Sequence, residues 1–298
     1  MEPELRQMRY FVAVAQSLNY TRAADALHIA QPALSKQIRQ LERTLRVQLF
    51  DRTSRRVVLT DAGQALLPYA TRILATVADA QTHMGDLSGS AEGRVTVSAQ
   101  QSLNASGMLP RVLVEFHERY PGVDVELREE FAAPTIAMLA DGRLDLALAM
   151  FDETWPRAED MTVEPLFDEE LVFVVGPGHR LAGSSVALRQ LLLEPFVAFN
   201  QGAGLRQILE RTCADAGFQP RIGYESGATG SVRALASAGL GVALLPRPVV
   251  DVDGPPLAPL RTDVALRRTI SLIRAYERYQ SAASRALVDL IRDRLSHG

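Results

Sequence analysis

The 298-residue sequence has a single cysteine, Cys213, so neither an intrachain disulfide nor a multi-thiolate metal site can form. Cys213 lies in a helical apolar pattern, where a buried thiol is expected rather than a redox switch. The five histidines (His28, His83, His117, His179 and His297) are scattered along the chain and form no ligand spacing, so no metal is expected. No apolar run approaches the roughly 18 residues that span a bilayer. The N-terminal stretch 1–16 lacks the charged-then-apolar order of an export signal. A cytoplasmic protein with no membrane partner is therefore expected. Phosphate-loop GxxxxGK(S/T), zinc HExxH and nucleophile GxSxG motifs are all missing, and Gly202-Ala-Gly204 lacks the third glycine of a dinucleotide site. No catalytic residue and no cofactor is expected.

Lysine is almost absent too: Lys36 stands alone among 32 basic residues. The overall charge of −3 conceals an asymmetry. Residues 31–60 carry seven basic side chains (Lys36, Arg39, Arg43, Arg46, Arg52, Arg55, Arg56) against Glu42 and Asp51. A basic island on an acidic chain is either a polyanion-binding surface or a merely solvated face. The length calls for two or three domains.

Apolar spacing predicts a helix over 4–16 and a short second helix over 22–28, capped by Thr21. A tight turn leads to a third helix, with Pro32 at its start and Leu34, Ile38, Leu41 and Leu45 on its inner face. Two short helices joined by a turn, the second basic outside, form a helix-turn-helix pattern. Segments 48–52 and 56–60 read as strands of a wing around 53–55. From Leu66 the apolar residues Leu66, Ala70, Ile73, Val77, Ala80, Met84 and Leu87 alternate steps of four and three on a helix of about 27 residues. Such a seam, with Leu66, Ile73, Val77 and Met84 as its large members, serves either pairing of two chains or packing on its own domain. After a Ser/Gly linker at 88–93, strands near 94–99, 123–128, 144–150, 171–176, 196–199, 221–224, 242–245 and 268–274 alternate with helices near 104–119, 134–141, 187–192, 205–216, 229–238 and 280–296. That alternation predicts an α/β architecture with largely parallel sheets.

The segment from Phe11 through Asn19-Tyr-Thr-Arg-Ala-Ala-Asp-Ala-Leu-His-Ile-Ala-Gln-Pro-Ala-Leu-Ser-Lys-Gln-Ile-Arg-Gln-Leu-Glu42, then Leu49-Phe-Asp-Arg52 and Leu59-Thr-Asp-Ala-Gly63, resembles the LysR-type transcriptional regulators. Weaker landmarks follow in the family's order: Leu109-Pro110, Tyr120-Pro121, Gly142-Arg-Leu-Asp145 and Ala238-Gly-Leu-Gly-Val242. One departure stands out: Arg46 occupies the place where the family usually has glycine. The resemblance implies a winged helix-turn-helix (1–60), a linker dimerisation helix and hinge (61–92), and a two-lobed periplasmic-binding-protein-like sensor. Its first lobe would comprise 93–163 with 267–298, and its second 164–266. Gln31, Pro32, Ser35 and Lys36 would face the major groove with Arg39 one turn along, while Arg55 and Arg56 of the wing would enter the minor groove; Pro32 can equally be a simple helix-start residue. The implied partners are a double-stranded operator with an interrupted inverted repeat, a second copy of the chain in a dimer and then a tetramer, RNA polymerase, and a small-molecule effector. For that effector the resemblance points to Gln101 and Ser102, where the family often holds a carboxylate. Facing strand ends add Asn200, Gln201, Ser226 and Thr229, with Phe131, Met150 and Phe199 as apolar cover; Ser102 can instead cap its own helix. No arginine sits in these turns, so neutral donors and helix ends are expected to hold a ligand with at most one negative charge. The alternative reading is a two-lobed binding protein, or an enzyme, with an accessory DNA-binding domain.

Overall fold

A computed structural model describes residues 2–53, 56–87, 93–129, 132–276 and 278–296. The chain forms two compact units, one gathering 1–90 with 140–143 and 277–281, the other gathering 91–139, 144–276 and 282–298.

The first unit opens with helix α1 (Leu5–Ser17), started by a reciprocal cap between Glu4 and Gln7. Helix α2 (Tyr20–Ala26) is capped by Asn19 rather than by Thr21: Asn19 Oδ1 accepts the N–H groups of Thr21 and Arg22 at 2.9 and 3.0 Å. The asparagine wins because its side chain reaches both free donors from the extended residue before the helix. Helix α3 (Gln31–Leu45) follows Ala30, with Pro32 in the first turn where no N–H is needed. Leu34, Ile38 and Leu41 are fully buried against Phe11, Val14, Leu49 and Phe50. The helix ends at Arg46, which adopts the left-handed conformation (φ 60°) that glycine takes without penalty. The departure from glycine therefore carries about 1–2 kcal/mol of backbone strain. Strands β1 (Phe50–Thr53) and β2 (Arg56–Leu59) pair antiparallel, Phe50 opposite Leu59. Helix α4 (Asp61–Leu87) starts where Thr60 Oγ1 accepts the Gly63 N–H at 3.1 Å. A Cβ at position 63 would stand 2.2 Å from the Leu49 carbonyl oxygen, so only glycine lets the helix start this close to the wing. Along α4, Ala70 is buried and Leu66 half-buried in the unit's own core, while Ile73 and Met84 stay exposed.

The second unit has two separate apolar cores. The first contains β3 (Gly93–Ala99), α5 (Gln101–Ala105), α6 (Met108–Arg119), β4 (Val123–Arg128) and β5 (Leu146–Ala149), with α7 (Ala132–Ala140) between β4 and β5 in the chain. The sequence pattern predicts one helix over 104–119; Gly107, with φ 75°, breaks it into α5 and α6. Strand β6 (Met161–Val175) then runs on into the second core, which collects β7 (Ser185–Val186), β8 (Pro195–Phe199), α8 (Gly204–Asp215), β9 (Arg221–Ser226), α9 (Thr229–Ser237), β10 (Ala243–Pro246), α10 (Arg247–Asp251), β11 (Ala258–Pro259) and β12 (Arg261–Thr262). Strand β13 (Leu266–Ala275) returns to the first core, which α11 (Ala282–Leu295) completes.

The sheets are less parallel than the alternation of elements predicts. The pairs β3–β4, β3–β5 and β8–β9 are parallel. The pairs β6–β13, β13–β5, β10–β6 and β11–β6 are antiparallel. The cause is the ten-residue partnership of β6 with β13, two strands that both cross from one core to the other in opposite directions. Their middle residues, Glu169 and Arg268, lie opposite each other in register. Among the described residues no helix is long and apolar enough to cross a membrane.

Candidate functional site

Helix α3 has two contrasting sides. Its inner side is closed by Leu34, Ile38 and Leu41, as the i, i+4, i+7 spacing requires. Its outer side exposes Gln31, Pro32, Lys36 and Arg39, with Ser35 half-buried at the edge. Gln31, Lys36 and Arg39 are free-standing donors on one rigid rod, the geometry that reaches base edges and phosphates in a groove. Arg43 and Arg46 continue the exposed basic edge beyond them. Arg55 and the side chain of Arg56 lie outside the described residues.

In the second unit a cavity of about 500 Å³ opens between the two cores. Its walls include Gln100, Gln101 and Ser102 from one side, and Phe199, Asn200, Ser226 and Thr229 from the other. Most of the expected effector residues therefore converge. Gln101 spans the gap: its Oε1 accepts the Thr229 N–H at the start of α9, 3.0 Å away. Ser226 Oγ accepts the Ala228 N–H at 3.2 Å and so shapes the turn before α9. Met150 is not a wall residue, yet a side chain at Gly204, which is one, would meet the Met150 methyl at 3.3 Å. Gln201 departs from expectation. It is exposed and lines no part of the cavity, because the turn after β8 carries it outward while Asn200 faces in. Phe131 lies outside the described residues.

Ser102 does not cap its helix; Gln100 stands at the cap position and Ser102 sits inside α5. The Ser102 hydroxyl, almost fully buried, accepts instead from Arg268 Nη2 at 2.6 Å. Arg268 in turn is fixed by Glu169, whose Oε2 accepts the Nε–H at 2.7 Å and lies 2.5 Å from Nη2 as an ion pair. Burial pulls the Arg268 pKa below its ordinary value, and the Glu169 charge and hydrogen bond oppose that pull. Sequence reading misses Arg268 and Glu169, 166 and 67 positions from Ser102, because each hides among like charges: Glu169 in Asp168-Glu169-Glu170 and Arg268 beside Arg267. Charged runs of this kind read as solvated faces, and only the packed strands show which member is buried.

A family model described as "Bacterial regulatory helix-turn-helix protein, lysR family" matches residues 5–64, and one described as "LysR substrate binding domain" matches residues 88–296. The chain belongs to the LysR family. It is a LysR-type transcriptional regulator, with a helix-turn-helix followed by a two-lobed α/β effector-binding domain. The RuBisCO operon transcriptional regulator of Allochromatium vinosum is 32% identical over 85% of this chain and 82% of its own. A probable hydrogen peroxide-inducible genes activator of Streptomyces viridosporus is 32% identical over 97% of this chain and 96% of its own. Full-length CbnR, solved in complex with its target DNA, is 26% identical, with a TM-score of 0.66 covering 97% of this chain and 99% of that one.

The single thiol of this LysR-type regulator lies in the second core. Cys213 is completely buried inside α8, and burial pushes its pKa up to about 12. Thiolate is the species that oxidants attack, and at neutral pH this thiol holds almost none. Cys213 is therefore expected to resist a thiol-specific disulfide reagent in the native protein and to react promptly once urea unfolds it. Rapid stoichiometric labelling of the folded chain would contradict this.

Proposed function

We propose that this LysR-type regulator binds an interrupted inverted repeat in double-stranded DNA as a dimer, assembling further to a tetramer, and that a small molecule in the cleft between its lobes controls the outcome. The observation that carries the DNA reading is the polarity of α3: three apolar side chains fully buried on one side, and Gln31, Lys36 and Arg39 exposed on the other. Gln31 and Ser35 read base edges, Lys36 and Arg39 hold phosphates, Pro32 sets the helix start, and the wing arginines Arg55 and Arg56 enter the minor groove. The dimer forms along α4, where Ile73, Met84 and Leu87 are large apolar residues that their own unit leaves exposed. Val77 belongs to the same seam, and Leu66 supports the helix from beneath. The domain division follows: 1–60 reads DNA, 61–92 pairs and links, 93–163 with 267–298 forms one lobe and 164–266 the other. The protein acts in the cytoplasm, has no catalytic centre, and works on transcription through RNA polymerase. The convergence of Gln101, Ser102, Asn200, Ser226 and Thr229 on one cavity supports the effector site.

Alanine at both Gln31 and Arg55 tests the DNA reading. Loss of base contacts from Gln31 is expected to reduce discrimination between operator and random sequence by about 1–3 kcal/mol. Loss of the Arg55 charge from both subunits of the dimer is expected to flatten the log–log salt dependence by roughly 1.8, about 0.9 for each phosphate contact. Electrophoretic titrations at several salt concentrations measure both, and unchanged operator binding by the double variant would reject the assignment.

A further inference from the structure

Resting on the effector-cleft reading above, we propose that the cleft takes a neutral carboxamide or closely related carbonyl compound with an apolar body, and discriminates against carboxylates. The charge inventory of the cavity leads there. Among the described residues its charged wall members are Arg268 and Glu129. Arg268 is already matched: its direct cross-strand partner Glu169 accepts its Nε–H and forms an ion pair with Nη2, and the two side chains are 3% and 1% exposed. The pair is electrically closed. A ligand carboxylate on the same guanidinium would place two anions on one cation whose own side chain is 3% exposed, the uncompensated buried charge that proteins tolerate least. Glu129, exposed at the wall and held by Asn104 Nδ2 at 2.6 Å, adds negative charge, and among the described residues no cation pairs with it.

The hydrogen-bonding groups, by contrast, suit a neutral amide. Arg268 Nη1 has no hydrogen-bond partner among the described residues. Ser102 Oγ uses a lone pair for Arg268, which leaves its own O–H to donate. Both donors suit one carbonyl oxygen. The buried Gln100 Oε1 lacks a partner, which matches it to a ligand N–H. The start of α9 is already satisfied by a neutral carbonyl, that of Gln101, rather than by a carboxylate. Phe199, Ala203, Leu205 and Ala228 supply the apolar wall for the rest of the molecule.

Matched pairs of fragments, benzamide with benzoate and cinnamamide with cinnamate, test this on the full chain by ligand-observed NMR titration. Each amide is expected to bind at least about tenfold more tightly than its carboxylate. Glu169→Gln frees the Arg268 charge and is expected to invert that preference. Since Glu169→Gln also weakens the fold, Glu169→Gln with Arg268→Met serves as the second variant: with no charge left on the two strands and only the exposed Glu129 at the wall, it is expected to bind amide and carboxylate within about threefold of each other. Asn200→Trp, at an exposed wall position, fills the cleft and is expected to abolish binding of every probe. Tighter binding of the carboxylates to the wild-type chain, or a wild-type preference that persists in both charge variants, overturns the inference while the cleft stands. Probe binding that survives Asn200→Trp overturns the cleft reading itself. Failure of every probe to bind the wild-type chain at about 10 mM, the weak end for such fragments, overturns both.

Discussion

Glu169→Gln or Arg268→Met alone is expected to lower the unfolding free energy by about 3–5 kcal/mol, and the two together by much less than the sum. Each single change strands the other partner of a buried pair, whose side chains are 1% and 3% exposed. The stranded charge then meets neither water nor a counter-ion, and that penalty exceeds the worth of the contact itself. Removing both leaves a neutral, mostly apolar gap on two strands already paired in register. Glu169 Oε1, buried without a partner even in the wild-type chain, sharpens the asymmetry, since nothing else stands ready to compensate it. Urea titrations of the four proteins form the cycle. Strictly additive losses would show that the pair contributes no coupling across the two crossing strands, and would remove the electrostatic basis for reading the cavity as closed in charge.

Ile73→Glu with Val77→Glu is expected to weaken dimerisation by at least roughly 100-fold and operator binding with it. Ile73 is 42% exposed and Val77 half-buried in the isolated chain, so the double change costs the fold of the first unit little. Both residues would be covered in a dimer paired along α4. Burial of each such side chain is worth about 1.5–3 kcal/mol, and two carboxylates brought against their symmetry copies add repulsion. Light scattering across a concentration series reads the association directly. A dimer of undiminished stability would place the pairing surface elsewhere, whereas Leu66→Glu is a poor substitute test because Leu66 supports its own unit's core.

The parts of this molecule that local rules govern were legible in the sequence. Helix α3 needed only Pro32 and the spacing of Leu34, Ile38 and Leu41, because a helix start and a buried stripe are set within a few turns of chain. The exposed set of Gln31, Lys36 and Arg39 followed from the same periodicity. The helical cap of α2 was missed by two residues, since Asn19 and Thr21 are both competent and only the backbone's entry geometry selects between them. The break at Gly107 was a matter of conformation at one residue inside an otherwise helical pattern.

By itself, then, the sequence determined a helix-turn-helix pattern, a long helix with a regular apolar stripe and an alternating α/β region, while the family resemblance supplied the LysR type and the polar strand-end residues expected at a cleft. Tertiary structure alone decided the sheet's mixed direction and the charge of that cleft. Ser102, Glu169 and Arg268 meet only because β6 and β13 cross between the cores in antiparallel register, and no local spacing encodes a pairing between residues so far apart in the chain. Such partnerships are chosen by the burial of whole strands. The chemistry that depends on them becomes readable only once the strands are packed.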